Sequence, residues 1–185
     1  QGTLVFPGNL GMFEWGGISV DPDNQTAVMN PMALPFVSRL IPRGPNNPLW
    51  PKDGKEGQSS GTEAGVQPQY GVPLGVTLNP FLSPIGIPCK QPAWGYVAGV
   101  DLKADNAIVW KRRVGTIRDS VPGLQLPPAK IGMPMLGGPI STAGGVVFLA
   151  ATQGNYPRHL DVRTGEELWR ARLPGGGQAT PMTYE

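Results

Sequence analysis

Two parts of this chain spell the same order of features: a Gly-Gly opening, an apolar strand, a strand ending in aspartate, a tight turn, and a tryptophan on the next strand. One copy is continuous, Leu136 to Leu173. Gly137-Gly138-Pro139-Ile140-Ser141 opens it and Val146-Val147-Phe148-Leu149-Ala150 is an apolar run. A third strand ends in Leu160-Asp161-Val162, Arg163-Thr164-Gly165 makes the turn, and Leu168-Trp169 lies on the last strand. The other copy is split. Gly16-Gly17-Ile18-Ser19 matches the opening and Thr26-Ala27-Val28-Met29 the apolar run, but the third and fourth strands wait until Trp94–Leu102 and Ala107–Arg113. There Asp101 to Trp110 echoes Asp161 to Trp169 with one extra turn residue. Short strands punctuated by Gly and Asn form an antiparallel meander, and four strands in about forty residues is the size of one propeller blade. An aspartate accepts backbone N–H bonds across a turn, and a tryptophan buries a large apolar area while its N–H needs an acceptor.

This pattern decides how the composition is read. Gly 27 and Pro 22 exceed a quarter of the 185 residues, a level that by itself suggests low complexity. Yet 39% of residues are hydrophobic and five are Trp, while no segment keeps apolar spacing at 3.6 residues. The glycines and prolines therefore serve turns of an all-β protein. No apolar run reaches 18 residues. Net charge is +2, and the one dense basic run, Lys111-Arg112-Arg113, ends a strand with no aromatic stacking platform beside it, so it reads as a solvated strand end and no nucleic-acid partner is expected. The single Cys89 excludes an internal disulfide.

Residues 31–92 hold more than half of the prolines and are expected to form a long insertion within the split blade, with a polar stretch at Gly54–Gly61 and a part that packs as a cover. Thr116–Met135 is a second Pro-rich connector. Residues 136–173 are expected to be one complete blade. Gln1 follows no Met, and Thr180-Pro181-Met182-Thr183-Tyr184 reads as a strand just beginning, so the chain is expected to be a fragment, residues 1–185 lying within one propeller domain. About two four-stranded blades with flanking strands cannot bury all their faces, and such a piece alone is expected to be poorly stable and inactive.

No self-sufficient catalytic motif stands out. Gly175-Gly176-Gly177 lacks the Lys-Ser/Thr of a phosphate loop and reads as a turn. His159 is the only histidine, which excludes a multi-histidine metal cluster within the chain, and its strand position suits a structural or surface residue. Glu14-Trp15 and Asn30 lie near strand ends, where a propeller presents residues to its central channel. A carboxylate and an amide oxygen suit a hard cation such as Ca²⁺ and a Trp suits a planar ring; turn capping and core packing account for the same residues equally simply.

Several motifs carry a resemblance. Phe6-Pro7-Gly8-Asn9-Leu10-Gly11-Met12-Phe13-Glu14-Trp15-Gly16-Gly17, Asn30-Pro31-Met32-Ala33-Leu34-Pro35, Pro88-Cys89-Lys90-Gln91-Pro92-Ala93-Trp94-Gly95-Tyr96 and Met133-Pro134-Met135-Leu136-Gly137-Gly138 resemble the membrane-bound quinoprotein glucose dehydrogenases of Gram-negative bacteria. The Asp-to-Trp turn is similar to the tryptophan-docking motif of the wider quinoprotein group. The resemblance implies an eight-bladed propeller holding pyrroloquinoline quinone (PQQ) with Ca²⁺ or Mg²⁺. It implies oxidation of D-glucose and other aldoses at C1 to the lactone, and electron transfer to ubiquinone. It also implies an inner-membrane protein, anchored by N-terminal helices absent here, with its propeller facing the periplasm. Carried over residue by residue, it marks Asn30 as a cofactor and metal residue, and Glu14 and Gly115 as cofactor-binding residues. The catalytic base of that group has no counterpart in this chain.

One departure is visible. Where the family reads Asp after Ala-Thr-x, this chain has Gly154, followed by Tyr156-Pro157-Arg158-His159. A proline inside a strand removes a ladder donor, so that strand is expected at an edge or at a bulge. Two other readings fit the repeats: a related quinoprotein acting on quinate, glycerol or another polyol, and a cofactor-free propeller scaffold. Scaffolds of that kind lack the Glu14-Trp15 pair and the Pro-rich insertion.

Overall fold

The computed structural model describes residues 1–44, 65–67, 69, 71–103, 105–118, 129–150 and 153–184. Its named elements are all β-strands: β1 (Thr3–Val5), β2 (Ile18–Asp21), β3 (Thr26–Met29), β4 (Phe36–Pro42), β5 (Gly65–Gln67), β6 (Leu74–Pro80), β7 (Val97–Asp101), β8 (Ala107–Arg112), β9 (Pro139–Ser141), β10 (Val146–Leu149), β11 (Arg158–Asp161) and β12 (Glu167–Arg170). They form three four-stranded antiparallel sheets within two compact units.

One unit comprises Gln1–Gly11 and Leu34–Lys90. Its sheet runs β1-β4-β6-β5, with β4 and β6 paired from Phe36↔Pro80 to Pro42↔Leu74. Much of this unit comes from the Pro-rich stretch 31–92, whose described residues include the strands β4, β5 and β6. Pro42 and Pro80 stand at the ends of the ladder, where a missing N–H costs little. The polar stretch Gly54–Gly61 lies outside the described residues.

The other unit comprises Met12–Ala33 and Gln91–Glu185 and carries two sheets, β2-β3-β7-β8 and β9-β10-β11-β12. In the first, β3 pairs β7 with Val28 opposite Gly99, so the strands on either side of the insertion share one ladder. The core between the sheets contains Val28, Val97, Trp110, Met135, Val147, Leu149, Leu160 and Val162. β8 buries only one residue, Trp110. Its indole lies over Gly99 of its own sheet and Gly165 of the other, where a Cβ at either glycine would run into the ring. Trp110 Nε1 donates to the carbonyl of Val162 at 2.9 Å. The turn that receives the ring is held by Asp161, whose Oδ1 accepts from Arg163 N and Thr164 N, both at 2.9 Å. The aspartate of one sheet thus prepares the seat for the tryptophan of its neighbour. Trp169, at the equivalent place in the second sheet, is 48% exposed and stacks on His159 at 4.4 Å.

The remaining segments bear on the strand ends. Met12–Gly17 leads into β2 as a turn, closed by Gly17 N donating to Glu14 O at 2.9 Å. Thr180–Tyr184 carries no strand. β11 lies inside its sheet rather than at an edge, with Pro157 just before it, and the expected irregularity is there as a register shift between His159 and Leu160.

The turn aspartates give the unit an acid limit. The Asn24 side-chain amide, with the backbone N–H groups of Asn24 and Asp23, holds the Asp21 carboxyl below its usual range against the opposing effect of burial. Burial pushes Asp161 up, but the hydrogen bonds from Thr164 and Arg163 outweigh it and its pKa is lowered too. A carboxyl lowered in the folded state stabilises fully above the unfolded value of about 3.9 and loses that stabilisation as pH falls through the folded value. In urea unfolding of the full-length protein, the difference between wild type and Asp21→Ala should shrink steadily below about pH 4. In the same assay at neutral pH, Trp110→Phe should cost about 1 kcal/mol for the lost hydrogen bond. Gly165→Ala should cost roughly 2–4 kcal/mol, since φ is +65° there and the new methyl meets the indole. A Gly165→Ala cost no larger than that of Trp110→Phe would contradict this packing.

Candidate functional site

Met133 to Gly138, the buried lead-in to β9, is the wall on which the sequence-identified residues meet. Asn30 follows β3 and is 4% exposed. Its Nδ2 donates to the carbonyls of Met135 at 3.0 Å and Gly137 at 2.9 Å. Two carbonyl partners require the NH₂ on that side and so orient the amide. The Oδ1 faces away from this pair and accepts no hydrogen bond from the described residues.

Glu14 precedes a second contact with the same wall. It is half-buried in the turn before β2, where its Oε2 accepts from Trp15 N at 2.8 Å. Two residues on, Gly16 packs so closely on the backbone of Gly138 that neither position has room for a Cβ. Ser19 Oγ completes the junction, accepting from Ser141 N at 2.7 Å and lying 2.9 Å from Ser141 Oγ. The Gly-Gly openings of the two repeats are therefore contact points between sheets. Trp15 gives only its backbone N–H to this turn and is 65% exposed.

Gly115 meets the wall earlier, at Met133. A Cβ there would lie 2.8 Å from Met133 Cβ and Cγ, and φ is +88°, so both space and backbone require glycine. Its carbonyl accepts from Ile131 N at 3.1 Å. The structure thus brings Asn30 to Met135 and Gly137, Gly16 to Gly138 and Gly115 to Met133, while Glu14 stands two residues before the Gly16 contact. Gly154 is buried against Thr116, where a Cβ would sit 3.3 Å from Thr116 N. His159 is held between the rings of Phe148 and Trp169.

Sequence reasoning missed Gln178 and Thr180. Thr180 Oγ1 accepts from Gly138 N at 3.2 Å, and the backbone of Gln178–Ala179 fills the space beside Gly137. The Oε1 of Gln178 is buried without a hydrogen-bond partner. Such an acceptor needs a donor from outside the described residues. Gln178 lies between a glycine run legible as a turn and a stretch legible as a beginning strand, and nothing in that composition reports burial. With Asn30 Oδ1 and Gln178 Oε1 both uncommitted, the wall suits a polar cofactor and a hard cation. Among the described residues no group of three or more His, Cys, Asp or Glu could hold a metal by itself, so Asn30 would supply one ligand of a larger set.

Four-stranded antiparallel sheets, joined face to face by a tryptophan seated on the neighbour's turn, define a partial β-propeller. The solved quinohemoprotein alcohol dehydrogenase of Comamonas testosteroni shares this fold, with a TM-score of 0.59 at 19% identity over 100% of this chain and 22% of that one. Residues 1–185 match the family described as "PQQ: Glucose/ethanol/alcohol dehydrogenase, beta-propeller domain", and the chain belongs to that family. It is 68% identical to the quinoprotein glucose dehydrogenase of Escherichia coli (strain K12), over 100% of this chain and 23% of the relative. It is 66% identical to quinoprotein glucose dehydrogenase A of Acinetobacter calcoaceticus, over 100% of this chain and 22% of the relative. The chain therefore spans less than a quarter of the length of these relatives.

The two donated bonds make Asn30 a structural residue before it is anything else. Asn30→Ala should cost roughly 2–4 kcal/mol in urea unfolding of the cofactor-free full-length protein, since two buried carbonyls lose their donors. Asn30→Asp should be no better, because it keeps an oxygen and loses the N–H groups. An Asn30→Asp protein as stable as wild type would contradict the orientation described.

Proposed function

We propose that this chain is part of a PQQ-dependent dehydrogenase that oxidises D-glucose and other aldoses at C1 to the lactone and passes the electrons to ubiquinone. The enzyme belongs to the inner membrane, with its propeller facing the periplasm. The whole-length likeness to quinoprotein glucose dehydrogenases supports the substrate. The observation that carries the site is the buried Asn30, whose NH₂ is committed to the wall and whose oxygen is not.

PQQ supplies the two-electron redox chemistry when bound, and Ca²⁺ or Mg²⁺ the electrophilic assistance. This chain's residues bind and orient. Asn30 would hold the cation through Oδ1, its amide being already oriented by the two carbonyls that take its NH₂. Glu14 keeps one carboxylate oxygen on Trp15 N and presents the other, within a turn that the Gly16–Gly138 contact holds in place. Gly115 lets the chain pass Met133 closely and so supports the wall that would carry the cofactor. The base that takes the C1 hydroxyl proton comes from outside this chain.

Glucose-dependent dye reduction by the full-length protein tests the reading. Activity should require both added PQQ and Ca²⁺ or Mg²⁺, should disappear with EDTA, and should be weak on quinate and glycerol. Glu14→Gln and Asn30→Ala should each raise the cofactor or cation concentration for half-maximal activity roughly 10–100-fold. No PQQ-dependent oxidation of any aldose or polyol would overturn the proposal.

A further inference from the structure

Three stretches of the two-sheet unit line up through their packed junctions. Gly16 packs on the backbone of Gly138, and Gly138 N in turn donates to Thr180 Oγ1 at 3.2 Å. Ser19 and Ser141, three residues on from the two glycines, are hydrogen-bonded to each other. In sequence, Gly138-Pro139-Ile140-Ser141 is matched by Thr180-Pro181-Met182-Thr183. Gly16, Gly138 and Thr180 therefore hold one repeat position, and the residues two places earlier are Glu14, Leu136 and Gln178. Gln178 stands in the third stretch where Glu14, a proposed cofactor residue, stands in the first.

The residue is half-buried, yet its Oε1 is enclosed and accepts no hydrogen bond from the described residues. Among the described residues no other buried side-chain nitrogen or oxygen is left in this state. The backbone around it is fixed. Gly177 has no room for a Cβ beside the carbonyl of Ala150, and the carbonyls of Gln178 and Ala179 lie against Gly137. Gly137 is also the residue whose carbonyl takes a hydrogen bond from Asn30. Slack in the chain therefore does not account for the orphaned oxygen. A buried acceptor without a donor is destabilising, and native structures hold few of them.

We propose that Gln178 is a specificity residue for the sugar, its amide oxygen accepting a hydrogen bond from one hydroxyl other than that at C1; this rests on the glucose-oxidising reading above. An amide oxygen only accepts, so a hydrogen-bonding partner brings an O–H or N–H. A quinone that carries carboxylates offers mainly acceptors, whereas an aldose offers several hydroxyl donors. The turned-in oxygen points the same way. A resident cofactor would be met by an acceptor held open, as Asn30 Oδ1 is held away from its two carbonyls. A substrate that arrives and leaves at each turnover suits an acceptor that turns out to meet it. Because Gln178 is half-buried, a change of side-chain rotamer is enough to bring the oxygen out. A group paired in this way discriminates against a sugar lacking the hydroxyl, since the acceptor is then left unpaired.

Gln178→Met in the full-length protein tests this, because it keeps the length of the side chain and removes the acceptor. With PQQ and Ca²⁺ bound, kcat/KM for D-glucose should fall roughly tenfold, the loss of one hydrogen bond. Across monodeoxy analogues of glucose, each lacking one hydroxyl other than that at C1, a single analogue should be poor with the wild type and lose no more in the variant. Gln178→Glu, which keeps an acceptor oxygen, should retain more of the glucose kcat/KM than Gln178→Met. Two measurements without substrate separate the other roles. In urea unfolding of the cofactor-free protein the Gln178→Met midpoint should equal or exceed that of wild type, since an unpartnered acceptor is removed. Calorimetric affinities for PQQ and Ca²⁺ should be unchanged. A lower midpoint, which would mean a donor within the protein itself, overturns the proposal. Weaker PQQ or Ca²⁺ binding, or an equal loss on every sugar, overturns it as well. A wild type that oxidises no aldose overturns the glucose reading and this proposal with it, whereas an equal loss with an active wild type overturns this proposal alone.

Discussion

The indole of Trp110 is the contact on which the two-sheet unit depends. It occupies space that two glycines leave open, one in each sheet, and its N–H satisfies a carbonyl that would otherwise be buried unpaired. Burying an indole is worth several kcal/mol in apolar area, but direction matters as much as size here. The ring fits only if Asp161 has already folded its turn to present Gly165, and only if Gly99 lies opposite in the ladder. Sequence-local turn chemistry and long-range packing are therefore one device.

That device sets the second contact region, where Gly16, Ser19 and Asn30 meet Gly137, Gly138 and Ser141. Backbone touches backbone there, and the side chains that remain are polar. Two glycines in contact leave a narrow wall whose carbonyls need donors. Asn30 supplies them, and the demand of packing thereby turns its oxygen away from those two carbonyls. The fold explains why an amide stands at this place, since a carboxylate would offer no donor to Met135 and Gly137.

The repeat of Gly-Gly, apolar strand, Asp and Trp made the two sheets readable from sequence, including the split between β3 and β7. The sheet of β1, β4, β5 and β6 was not readable, because its prolines look like breakers when counted and act as strand ends when placed. The relation between Asp161 and Trp110 was only half visible. The motif places an Asp and a Trp in each repeat, yet the pair that meets comes from two different repeats. Glu14 and Asn30 were legible as site candidates through their residue types and the motifs around them. Gln178 was not, since an orphaned acceptor is a property of burial.

The central claim is that packing between the sheets orients Asn30 so that its nitrogen serves the fold and its oxygen the site. A crystal structure of the full-length protein with PQQ and Ca²⁺ bound, with the cation located by anomalous scattering, measures this directly. The account predicts Asn30 Oδ1 within the Ca²⁺ shell, at about 2.3–2.6 Å, while Nδ2 still donates to Met135 and Gly137. A cation with no contact to Asn30, or an Asn30 amide turned away from those two carbonyls, would contradict it.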